Sequence, residues 1–169
     1  MYQGDRGLKS ADEEVEYTPE LIKEYVRCKA DIIYFAEKYF KIITIDEGEV
    51  TIKLWEFQKR MLKAFVDPSP KRHCAVLASR QVVKSTISTV YMLWYILFRN
   101  DKTVAVLGNK EKIALEILRR IKLAYRGLPL WLQQGIVDGG WNKQSIQLEN
   151  GSRVLAASTA SSAIRGESI

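Results

Sequence analysis

Lys84 and Ser85 stand where an apolar run, Cys74 to Ala78, gives way to a long amphipathic stretch. An ammonium group next to a hydroxyl at a strand-to-helix junction is an arrangement that binds nucleotide phosphates. The lysine brings positive charge to the β- and γ-phosphates, and the hydroxyl ligates magnesium. The loop that carries this chemistry is spaced G-x-x-x-x-G-K-[ST]. In "ASRQVVKST" Ala78 takes the first glycine position and Val83 the second. Ser79, Arg80, Gln81, Val82 and Val83 are then the residues whose backbone curls around the phosphates, with Lys84, Ser85 and Thr86 opening the helix. The plainer reading is that Lys84 and Ser85 simply begin an ordinary helix. Val83 weighs on the choice. Glycine lets the backbone approach a phosphate with no β-carbon in the way, and a β-branched residue is a misfit if φ must be positive. Weak nucleotide binding is expected, relative to a Val83→Gly variant.

Such a loop needs a strand before it and a helix after it. The pattern predicts a strand from His73 to Ser79, a helix from Ser85 to Phe98, a second strand from Thr103 to Leu107 and a helix from Lys110 to Tyr125. On the last helix, Ile113, Ile117, Ile121 and Ala124 share a face. Strand and helix alternating with short links predict an α/β fold with helices on a parallel sheet. "SIQLENGSRVLAAS" adds two alternating runs joined by Asn150-Gly151, a strong hairpin signal. Upstream, Thr18-Pro19 predicts a helix start. Ile22, Val26, Ile33, Ala36 and Phe40 extend helical spacing over residues 19–40, with Asp31 able to cap a second helix after a break. "KIITI" and "VTIKL" flank Asp46-Glu47-Gly48-Glu49 as a short hairpin, and residues 54–65 read as helix up to the Asp67-Pro68-Ser69-Pro70 turn. Residues 1–17 are expected to be a flexible polar segment. The rest, 18–169, divides into a helical lead-in (18–53) and a core (54–169).

The chain has 169 residues, 47% apolar and 27% charged. That composition suits a globular domain with a real core. A net charge of +6 agrees with an anionic partner without requiring one. Cys28 and Cys74 lack metal-ligand spacing, and His73 is the single histidine. A zinc site and a Ser-His triad are therefore excluded. The longest apolar run, Val90 to Phe98, is far short of the roughly 20 residues a bilayer span needs. With no apolar leader at the start, an intracellular protein without membrane contact is expected.

"LWEFQKRMLKAF", "LASRQVVKST", "GIVDGGWNKQSIQLENGS" and "AIRGES" occur in the order in which similar segments occur in the large terminase subunit of tailed phages, especially the T-even-type group. The resemblance runs from about Asp31 to Ile169. It implies a P-loop NTPase fold of RecA/ASCE-like type, with ATP and Mg as cofactors. Its activity would be ATP hydrolysis driving double-stranded DNA into the prohead, as an oligomer on the portal in the host cytoplasm. Implied partners are DNA, the portal protein, the small terminase subunit and a downstream terminase polypeptide. Members of this group already lack the first glycine, so Ala78 is no departure. By the same resemblance Arg80 and Lys84 act on the phosphates, Ser85 ligates magnesium, Gln58 recognises adenine, and Arg165 acts on a neighbouring subunit's ATP. Phe57 would stack on the base or serve as a core aromatic; Arg165 would equally suit a surface salt bridge. Trp141, Asn142 and Lys143 match the group's signature, Trp141 as a packing residue.

In that family the next strand ends in an Asp-Glu pair that holds magnesium and activates water, and a nuclease domain follows. Neither is found in these residues. The expectation is therefore the front part of an ATPase domain, its sheet incomplete at the C-terminal end, with a strand flank left open to self-association or to a partner chain. A helicase-like ATPase is the alternative among enzymes. A non-catalytic module that binds DNA or a motor component through a basic surface is the alternative outside them. Arg119, Arg120, Lys122 and Arg126 are candidates for DNA contact, or else a solvated helix face.

Overall fold

The computed structural model describes residues 1–44, 46–69, 74–77 and 84–159. Among these the protein is mixed α/β, with five α-helices, a four-stranded mixed sheet and a separate two-stranded hairpin. α1 (Pro19–Ala30) starts as expected, with Thr18 accepting a hydrogen bond from the Leu21 N–H and proline in the first turn. The Asp31 carboxylate accepts the N–H groups of Ile33 and Tyr34 at 2.9 and 3.0 Å and so opens α2 (Ile32–Tyr39). β1 (Lys41–Thr44) and β2 (Gly48–Thr51) pair antiparallel across the turn at Asp46-Glu47.

α3 (Glu56–Val66) packs on α4 (Lys84–Phe98), with the Phe65 and Tyr91 rings 5.4 Å apart. α4 is the buried helix of the molecule: Ile87, Val90, Leu93, Ile96 and Leu97 are each almost fully enclosed. β3 (Thr103–Gly108) and α5 (Glu111–Arg126) follow as anticipated. The inward face of α5 is turned from the expected one, however. Ala114, Leu118, Ile121, Ala124 and Tyr125 are buried, whereas Ile113 is 48% exposed. α1 shows the same effect, since Ile22 and Val26 face outward and Cys28 faces in. Helical spacing sets a stripe, but only the neighbours decide which side of it is covered.

The sheet runs β3-β6-β5-β4. β3 and β6 (Arg153–Ser158) are parallel, pairing Thr103 with Arg153 through Gly108 with Ser158. β4 (Ile136–Asn142), β5 (Ser145–Leu148) and β6 are antiparallel neighbours. The parallel sheet expected from the sequence is therefore corrected to a mixed one, which the predicted hairpin strands join antiparallel. Tight turns join β4 to β5 to β6, and a tight turn can connect only antiparallel strands. The Asn150-Gly151 hairpin forms and also caps α4: Asn150 Nδ2 donates to Ile96 O and Arg99 O, and Ser152 Oγ donates to Arg99 O at 2.6 Å.

Two expectations fail outright. The described part of the first predicted strand, Cys74–Leu77, has no regular secondary structure and is exposed throughout. An apolar run makes a strand only where a ladder accepts its backbone, and here sequence pattern overstates order. Second, the polar lead-in is docked rather than loose. Leu8 and Tyr2 are buried, the Ile136 N–H donates to Lys9 O, the Ala11 N–H donates to Ile136 O, and Lys9 Nζ lies 3.2 Å from Glu149 Oε1. Asp5 pairs with Arg126 and Lys9 with Glu149, tying the segment to the body of the protein.

Candidate functional site

Lys84, Ser85 and Thr86 open the described part of α4. The first four N–H groups of a helix have no intrahelical acceptor, and their dipoles favour an anion. Lys84 is half-buried and Ser85 exposed, while the Ser85 carbonyl accepts a hydrogen bond from Thr89 Oγ1 at 2.7 Å. Ser79, Arg80, Gln81, Val82, Val83 and Arg165 lie outside the described residues.

Gln58 is 5% exposed, and its Oε1 accepts the Trp55 backbone N–H at 3.0 Å. It closes the N-terminus of α3 as the reverse arm of a capping box. In this arrangement the amide oxygen closes the start of its own helix. Phe57 is half-buried and meets Trp55 edge-on at 5.7 Å, with Trp55 itself 66% exposed. α3 and α4 are packed together, so Gln58 and Lys84 belong to adjacent elements.

The candidate basic face on α5 is largely engaged. Arg119 and Arg120 both hydrogen-bond Glu116, at 3.0 and 3.3 Å through their Nε atoms, and the Arg119 bond keeps that carboxyl below its usual pKa despite partial burial. Arg126 pairs with Asp5. The Lys122 ammonium lies 4.7 Å from the Trp141 ring centroid and donates to Asn142 O, and burial lowers its pKa. Trp141 also packs on Tyr125 at 5.5 Å, which bears out the packing role expected of it.

A cavity of about 570 Å³ opens beside the α4 N-terminal turns. Thr86 and Thr89 of α4, Glu116, Arg119, Arg120 and Leu123 of α5, and Phe40 to Ile43 at β1 line it. Sequence reasoning picked out Thr86 and the two arginines individually. It missed their convergence with Lys41 and Ile43, because no sequence spacing relates β1 to α5. Among the described residues no group of three or more His, Cys, Asp or Glu could hold a metal ion. No described helix is long and apolar enough to cross a membrane. No model of a known protein family matches the chain.

Proposed function

We infer that this chain is nucleotide-binding sequence from the ATPase part of a phage terminase large subunit, whose full form uses ATP to drive double-stranded DNA into a prohead. The observation that carries the reading is the position of Lys84 and Ser85 at the start of the described part of α4 (Lys84–Phe98), a largely buried helix. An ammonium next to a hydroxyl near a helix N-terminus is chemistry suited to phosphate. The ordered series of terminase-like segments supports the same reading. Ser85 supplies a hydroxyl for magnesium. Magnesium prefers phosphate and water with one or two carboxylates, and among the described residues the site offers no carboxylate cluster. The reading therefore assigns phosphate binding to these residues and leaves turnover to acidic groups they do not include.

The test is a titration of the purified protein with a fluorescent ATP analogue and magnesium. Lys84→Ala should weaken binding by at least about tenfold, the scale of one lost charge-assisted contact to phosphate. Val83→Gly should tighten it. Equal affinity in the wild type and Lys84→Ala would overturn the assignment.

A second reading, a non-catalytic module that binds DNA or a motor component, is favoured by one observation: Cys74–Leu77 do not form the strand that a phosphate loop springs from. DNA binding that weakens steeply with salt, with no nucleotide bound by any variant, would select it.

A further inference from the structure

The cavity between β1, α4 and α5 combines an aliphatic surface with an excess of positive charge. Ile43 is 63% exposed and Leu123 is 38% exposed on its walls. Isolated exposed aliphatics need no explanation, but aliphatics converging on a cavity mark a contact surface. Around them, two guanidinium groups share the single carboxylate of Glu116. One unit of positive charge is thus left over, and the Arg119 side chain is 77% exposed. Lys41, on the opposite wall, is already matched by Glu49 at 2.7 Å.

We propose that this cavity is the docking site for a short segment of a partner protein in which aliphatic side chains are flanked by carboxylates. The aliphatic side chains fill the space between Ile43 and Leu123, and a carboxylate takes the outer edge of the Arg119 guanidinium, whose Nε and Nη2 already hold Glu116 at 3.0 and 3.1 Å. Arginine is suited to this because its planar donors meet both oxygens of a carboxylate at once. Charge complementarity and size select the occupant. The volume lies within the range of sites that enclose small groups, so it holds a few side chains and not a duplex.

Nucleic acid fits less well, for two reasons. Glu116 stands among the cations and repels a phosphate backbone. Base stacking requires an accessible ring, and the aromatic residue lining the cavity, Phe40, is only 2% exposed.

The experiment uses the full chain and an array of fluorescent nine-residue peptides in which leucine content and charge vary independently, read by polarisation. Peptides carrying both leucine and glutamate should bind, and peptides with lysine in place of glutamate should not. Ile43→Asp and the double variant Arg119→Glu/Arg120→Glu should each weaken binding at least about tenfold. The charge-reversed double variant should in turn accept the lysine peptides, a gain that no unfolded protein would show. Binding of all apolar peptides regardless of charge, failure of every peptide class to bind, or a DNA duplex competing as well as the acidic peptides would each overturn the proposal.

Discussion

Glu24 shows how one side chain can tie two helices together. Its carboxylate accepts hydrogen bonds from Tyr34 and Tyr39, both at 2.8 Å, and from Lys38 at 2.7 Å, joining α1 to α2. Burial pushes its pKa up, but the donors outweigh burial and bring it from 4.5 to about 2. The folded state thus binds the charged form better than the unfolded chain does. The resulting stability is complete above the unfolded value and is lost as pH falls from there toward about 2. Glu24→Gln is expected to destabilise the protein by about 1–3 kcal/mol at pH 7. The gap between the two melting temperatures should shrink by pH 3, and a gap independent of pH would refute this account. None of this was visible in the sequence, where Glu24 is one acidic residue among 20 Asp and Glu. Gln58, singled out from the sequence for adenine, uses its amide oxygen to accept the Trp55 backbone N–H at the start of α3.

Elements were found in the sequence wherever local signals were strong. Thr18-Pro19, Asp31 and Asn150-Gly151 act through their own backbone neighbours, and all three do what their residue types predict. The docked N-terminus is different, because its contacts come from residues far along the chain. Gly135 makes the docking possible: a β-carbon there would lie 2.4 Å from Ser10 O and 2.6 Å from Glu149 Oε2. Such contacts are too close for any real side chain, and one of them is backbone. Gly135→Ala is therefore expected to displace residues 8–11 from β4 while leaving the core helices intact. Hydrogen exchange should show faster exchange at the Ala11 amide, which donates to Ile136 O in the native protein. Unchanged protection at Ala11 would show that the segment is held in some other way.

Across the whole molecule the open side of the sheet stands out. Among the described residues β3 pairs with β6 alone, although its sequence, TVAVLG, has the continuous apolar character of a strand with neighbours on both sides. Leu107 on it is 52% exposed. Edges of this kind recruit other strands unless charge, proline or a bulge blocks them. The protein is expected to self-associate at micromolar concentration, and Leu107→Lys should shift it toward monomer in light scattering. A wild type that stays monomeric over that range would contradict the open-edge picture.

What the sequence by itself determined was local: where helices and tight turns begin, and which residue types lie together near the start of α4. These depend on interactions within a few residues, which the order of amino acids specifies directly. The tertiary structure alone decided which stripe of α1 and α5 is covered, the joining of the antiparallel strands to β3 in one sheet, the docking of the N-terminus and the meeting of β1 with α5. Each of those is a contact between segments far apart along the chain. The choice among such contacts turns on which surfaces bury each other best, and no local spacing records that.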